Sequence, residues 1–486
     1  MTADVARVDD LVRLRPWPEI TYTSQGRTVL AMRHDDGTIH DEPHCGLFVH
    51  ETRMLSRYSY TIDGDTPLPI ALSNVAQHSW LGYYAALPPE RRRTSADRRR
   101  MEVAQHSLEL RVSRYVGGGM HEDLDCTNFT QQPTRFALAI LVDADFADQA
   151  HAASASPPGR VRRIWDADRR ELRFEYHAEP SDVRGPTREG IAVARALALR
   201  IVRADSVPSC DDHGIRFEVE LMAHASWHAC LDVVPTVEGE VLLPCYGCRS
   251  FVPQENHYDR IRHVFLAEST RVQVESGATL APVVVGAVEQ ATRDLASLRL
   301  HDLDVHERAW TVAAGLPTYV ALFGRDTLTA AWQAELLGPE LMQGTLEVLA
   351  RFQGRGVDNW RDEQPGRMLH EAHTSPSALL GCDPRRRYYG SVTTSGFYPV
   401  VVAELWHWTG DRELVRRFVR PALDGLRWLD TYAARHGGFY YHRRSRRLPR
   451  ARSKASSVSR SSISRRCCGG SVTRMERGGS TAKPAS

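Results

Sequence analysis

The sequence predicts a β + α chain, an antiparallel β-sandwich followed by an all-helical half. Three observations carry that prediction. Up to about residue 272, short runs alternate polar and apolar residues with period two, the pattern of half-buried strands. Turn-forming clusters separate those runs at intervals of roughly 8–20 residues, the spacing of a large sandwich. Beyond residue 272 the apolar residues recur with helical spacing instead.

Taken in order, YSYTI at 58–62, HSLELRV at 106–112 and IRFEVEL at 215–221 read as strands. Asp63-Gly64, the glycines at 117–119, Pro157-Pro158-Gly159 and Glu238-Gly239 supply turns. Residues 288–300 have helical spacing and link the two halves. Residues 327–337 read as a helix with Leu328, Ala331, Trp332 and Leu336 on one face and Asp326 placed to cap it. Pro339 opens another, burying Leu341, Thr345, Leu346, Leu349 and Phe352. Residues 397–409 and 413–435 follow, divided by Gly410-Asp411, with Leu414, Phe418, Ala422, Leu426 and Leu429 inward on the second.

A third regime begins at residue 443. Residues 443–486 hold eleven Arg, two Lys and eleven Ser against one Glu, so the total charge of +2 leaves the preceding residues net acidic. Such a segment has too little apolar surface to order itself and is expected to be disordered. Its abrupt start after Tyr440 is read as a lost reading frame. Nucleic acid is an unlikely partner except non-specifically through this tail. The charged stretch 90–100 reads as a solvated loop. No apolar run is long enough to span a bilayer and no signal peptide opens the chain, so a cytoplasmic protein with no membrane partner is expected. Cys245-Tyr-Gly-Cys248 is the close cysteine pair of the body. A CxxC is half a zinc site or a redox pair, yet no second CxxC or HxxxH lies near it in sequence. Two reduced thiols in a turn are therefore expected, with no metal and no cofactor.

Candidate site residues come from the loops of the helical half. A helix pair needs only a short connection, whereas 354–376 and 380–396 are long. They hold Trp360, Asp362, Glu363, His370, Glu371, Tyr388 and Tyr389. The string LFGRDTL at 322–328 places Arg325 beside Asp326 at a loop-to-helix junction. That pair reads either as a cap beside a solvated arginine or as a clamp on sugar hydroxyls, the guanidinium donating and the carboxylate accepting.

From residue 314 to 411 the chain runs AGLPTYVALFGRDTLTAAWQ, LEVLARFQG, DNWRDEQPGRMLHE, RRRYYGSV and ELWHWTGD. This ordered series resembles the bacterial and archaeal glycogen-debranching, amylo-α-1,6-glucosidase-like family. GLFVHETRMLSR at 46–57 and VDADFAD at 142–148 resemble that family's N-terminal domain. The resemblance covers roughly residues 12–440. It implies an N-terminal β-sandwich (12–285), a linker helix (286–304) and an incomplete (α/α)6 toroid of the six-hairpin glycosidase type (305–442).

It also implies that Arg325 and Asp326 hold the non-reducing sugar and that Trp360, Asp362, Glu363, His370, Glu371, Tyr388 and Tyr389 line the pocket. α-Glucan or an oligosaccharide is the expected partner. One departure is the threonine at 393, where related toroid glucosidases often place an acid after YGSV. The family's general acid, in a string like NQGWKDS, and its later base find no counterpart, so catalytic residues are not assigned and an inactive chain is expected. Two other readings stay open. One is a non-catalytic carbohydrate-binding or regulatory module; the other is a fragment of a trehalase-like or mannosylglycerate-hydrolase-like toroid.

Overall fold

The computed structural model describes residues 18–86, 107–150, 158–183, 187–248, 256–273 and 280–435, all within the first of two compact units, Met1–His442. The expectations for the 90–100 loop and the 443–486 tail lie outside these residues.

Alternation of side chains builds three antiparallel sheets. The largest has the strand order Arg160–Asp166, Glu171–Ala178, Val193–Ala204, Ser226–Val237, Gly119–Asn128, Leu108–Gly117, Ser79–Ala86 and Leu68–Ala76, with Glu240–Val241 added beside Ser226–Val237. A four-stranded sheet (Pro208–Cys210, Gly214–Leu221, Thr134–Asp143, Arg57–Ile62) and a five-stranded one (Ile20–Gln25, Thr28–Arg33, Gly46–Val49, Thr52–Leu55, Ala147–Asp148) complete the sandwich. One apolar core joins all three, including Leu110, Leu124, Phe136, Phe217 and Leu231.

A charge pair lies inside that core. Arg114 and Glu122 expose no side-chain surface and meet at 2.7 Å. The Tyr58 and Tyr60 hydroxyls donate to the same carboxylate at 2.7 and 2.6 Å. The guanidinium stacks over Trp80 at 4.8 Å. Every strong donor and acceptor is thereby met, the condition under which a buried ion pair is tolerated.

Helices α1 (His257–Glu268) and α2 (Ala281–Ser297) follow the sandwich. Helix α1 begins before residue 272, where the change from strand to helical pattern was expected, and α2 runs from Ala281 to Ser297. HYDRIRHVFLAE is mostly polar and buries only Asp259 and Ile261, so its periodicity is faint; Asn256 caps it by accepting from the Asp259 amide.

The remaining helices are α3 (Gly324–Gln333), α4 (Glu340–Arg351), the single turn α5 (Pro376–Leu379), α6 (Thr393–Thr409) and α7 (Arg412–Arg435). α3 pairs with α4 and α6 with α7, while α3 also packs on α6 and α4 on α7. Two consecutive helix pairs thus lie side by side. The first helix starts earlier than expected: Phe323 occupies the cap position, Asp326 falls in the first turn, and Leu336 belongs to a separate 3-10 turn. Leu328 and Ala331 are buried, whereas Trp332 and Leu336 are exposed. On α7 the inward face is Phe418, Ala422, Gly425, Trp428 and Tyr432. Leu426 and its neighbours Val419 and Leu423 face outward, as do Val400, Trp406 and Trp408 of α6.

The sandwich and the helices share packing. Val29, Ala31 and Phe48 enter the helical core, and Leu379 and Leu380 enter the sandwich core.

Candidate functional site

A small extended platform gathers the loop ends. Leu322–Phe323 pairs antiparallel with Glu371–Ala372, setting Phe323 opposite Glu371. The Gly324 amide donates to the His370 carbonyl at 2.7 Å. Tyr388 joins on the other side, its amide donating to the Glu371 carbonyl at 2.9 Å and its carbonyl accepting from the His370 amide at 2.8 Å. A side chain at 324 would strike the Leu369 carbonyl oxygen and the Thr394 methyl, so glycine is what lets α3 start against this platform.

Arg325 and Asp326 project from that helix start. Their side chains lie 3.5 Å apart and keep 57% and 36% of their surface exposed. Asp362 has a left-handed backbone, φ 55°, a conformation that costs a non-glycine residue on the order of 1 kcal/mol. Two bonds hold it: the Tyr388 hydroxyl donates to its carboxylate at 3.0 Å, and Arg367 donates to its carbonyl at 2.7 Å. Burial pushes the Tyr388 phenol up, with the Asp362 carboxylate adding to the shift, so it stays a neutral donor.

The other candidates are committed elsewhere. Glu363 accepts from the Arg355 and Gly356 amides at 3.0 and 3.3 Å and faces Arg361 at 3.4 Å, closing its own turn. Trp360 is half-buried beneath the Arg188 guanidinium. His370 sets its ring edge-on to Tyr388, centroids 6.0 Å apart. Tyr389 is only 2% exposed and donates to the Phe352 carbonyl at 2.8 Å, so it packs the core rather than a pocket.

Glu371 leads to two residues that the sequence reading did not select. Its carboxylate lies 3.0 Å from His373 Nε2, and His373 Nδ1 donates to Glu51 of the sandwich. Glu51 also accepts from the Thr374 amide at 2.7 Å. Burial opposes a charged imidazole, but the hydrogen bonds to Glu371 and Glu51 outweigh it and raise His373 to about 9. For Glu51 burial likewise works against the charge, and the bond from His373 wins, holding its carboxyl below the usual range. Both signals were visible in part: His373 lies two residues beyond the string that ends with His370 and Glu371, and Glu51 belongs to GLFVHETRMLSR.

Two strings of the N-terminal half also meet. Arg53 forms an ion pair with Asp145, and the Ser56 amide donates to the Asp143 carbonyl at 3.0 Å. Separately, a cleft of about 770 Å³ lies between the 353–366 loop and α7, lined by Gln353, Arg355, Gln364, Asp424 and Trp428 among others. None of the nine predicted residues lines it.

Sandwich, helix pairs and loop platform together define a β-plus-α protein. Residues 24–232 match the family described as the N-terminal domain of (some) glycogen debranching enzymes. A provisionally assigned kojibiose phosphorylase from the human microbiome shares the fold at TM-score 0.51 and 7% identity, over 82% of this chain and 55% of that one. The chain therefore spans about half the length of that structure. A galactose mutarotase related enzyme from Lactobacillus acidophilus, 10% identical, overlaps 45% of this chain and 97% of its own at a TM-score of 0.24. No curated protein matches the sequence. Among the described residues no helix is long and apolar enough to cross a membrane.

Proposed function

We propose that this chain is a relative of glycogen-debranching amylo-α-1,6-glucosidases that binds α-glucan or a glucose oligosaccharide at the Arg325–Asp326 helix start. The observation that carries the reading is the match of residues 24–232 to the N-terminal domain of glycogen debranching enzymes. The site chemistry supports it. An exposed guanidinium donates to sugar hydroxyls and the carboxylate beside it accepts from them. Tyr388, neutral and pinned to Asp362, borders the same platform.

Hydrolysis needs two carboxyl groups flanking the bond. In our reading the platform supplies neither: Glu371 is held by His373, and Asp362 is held by Tyr388. The chain holds sugar without cleaving it. Calorimetry of the full chain with isomaltosyl and maltosyl oligosaccharides tests this. Binding is expected, and Asp326→Asn should weaken it about tenfold or more, the loss of a charged hydrogen bond. Equal binding by both proteins would sink the assignment. Glucose release from branched dextrins that vanishes in Asp326→Asn would overturn the non-hydrolytic part.

A further inference from the structure

The two cysteines of Cys245-Tyr-Gly-Cys248, read from sequence as ordinary thiols in a turn, part company in the structure. Cys245 stays at the sheet end, its amide donating to the Gly117 carbonyl at 2.9 Å. Cys248 reaches two paired strands of the nine-stranded sheet. In strands Gly119–Asn128 and Ser226–Val237, His121 lies opposite Asp232, Asp123 opposite Cys230 and Asp125 opposite His228. Glu122, Leu124 and Cys126 alternate with the first set and point into the core. His121, Asp123, Asp125, His228, Cys230 and Asp232 therefore share the opposite face.

On that face the ligand atoms of Asp123, His228, Cys230 and Cys248 all lie within 4.8 Å of one another. His228 Nε2 is 3.1 Å from Cys248 Sγ and 3.9 Å from Asp123 Oδ1. A tetrahedral ion with bonds of about 2.0–2.3 Å holds its ligand atoms roughly 3.3–3.8 Å apart, so small side-chain shifts complete the shell.

The surroundings are those of a metal site. His228 Nδ1 donates to Asp125 at 2.9 Å and His121 Nδ1 to Asp232 at 2.6 Å. Each carboxylate fixes the tautomer that turns Nε2 toward the cluster. His121 Nε2 in turn sits 3.4 Å from Asp123 Oδ1.

We propose that Cys230, Cys248, His228 and Asp123 bind one zinc ion, which ties the segment 242–248 to the sheet. Two soft sulfurs with one imidazole select zinc over calcium or magnesium. Four protein ligands leave no open position, which makes the site structural. It shares no residue with the sugar platform and does not depend on that reading.

Metal analysis and Co²⁺ titration of the full chain decide the matter. One zinc per chain is expected. The metal-free protein should take up Co²⁺ with the thiolate charge-transfer and tetrahedral d–d bands. Those bands should vanish in Cys248→Ala, whose side chain lies toward solvent, and persist in Cys245→Ala. Asp125→Asn should weaken zinc about 10- to 100-fold by releasing His228. Circular dichroism showing Cys248→Ala folded keeps the result interpretable. Absence of Co²⁺ bands in the wild type, bands unchanged in Cys248→Ala, or a Cys230–Cys248 disulfide in the chain as isolated would each overturn the proposal.

Discussion

Glu51 of the sandwich and His373 of the helical half form a hydrogen bond across 322 positions of sequence. It couples the first domain to the loop platform. Nearby, Arg195 of the sandwich donates to the His50 carbonyl at 3.0 Å and also to the Thr374 carbonyl. Glu51 and His50 both adopt left-handed backbone, φ 60° and 46°, which delivers the carboxylate to the border.

The pH dependence of this clamp has a defined sign. His373 titrates near 9 when folded, above its free value, so its contribution is complete below about pH 6.5 and fades as the pH rises through 9. Glu51 is shifted down, so its contribution is lost as the pH falls below the ordinary carboxylate range. His373→Asn should cost about 3 kcal/mol near pH 6 and clearly less at pH 9.5, measured by urea unfolding. A cost independent of pH would contradict the charged form of the clamp.

Glu122→Gln should destabilise the sandwich by about 3–5 kcal/mol, because the Arg114 charge is left buried without its partner. Denaturant midpoints check this. A loss below about 1 kcal/mol would mean that the core admits water at Arg114.

Gly324→Ala should weaken oligosaccharide binding together with stability, by about 1–3 kcal/mol of overpacking against Leu369 and Thr394. Full-strength binding in a variant with an unchanged melt would show that α3 can start elsewhere.

Tyr388→Phe and Tyr389→Phe should separate. The first frees Asp362 and is expected to lower sugar affinity several-fold with a stability change of about 1 kcal/mol. The second removes a donor to the Phe352 carbonyl and should cost a similar stability while leaving affinity intact. Calorimetry with the same oligosaccharide and a thermal melt distinguish the two outcomes.

The contrast between these tyrosines explains part of what could be read in advance. In extended chain, successive side chains face opposite ways, so one of two adjacent tyrosines must turn inward. Residue types alone did not say which. Strand Gly214–Leu221 follows the alternation of its sequence because one face is buried and the other is not, whereas Arg57–Ile62 and the second half of Leu108–Gly117 are buried on both faces. α1 escaped because its contacts with the core are few, leaving little apolar period to detect.

Periodicity, turn chemistry and the motif strings determined, without any coordinates, that strands precede helices and that the loops at 322–326, 358–371 and 388–389 carry the polar residues. Those features are local, set by which side chains repeat on one face. Tertiary structure alone decided that Glu51 closes on His373 and that Tyr389 is core. It also decided that Cys248 leaves Cys245 to join Asp123, His228 and Cys230. Those outcomes depend on strand register and on contacts between distant segments, and a one-residue slip in the pairing of Asp123 with Cys230 would turn each side chain of one strand to the other face.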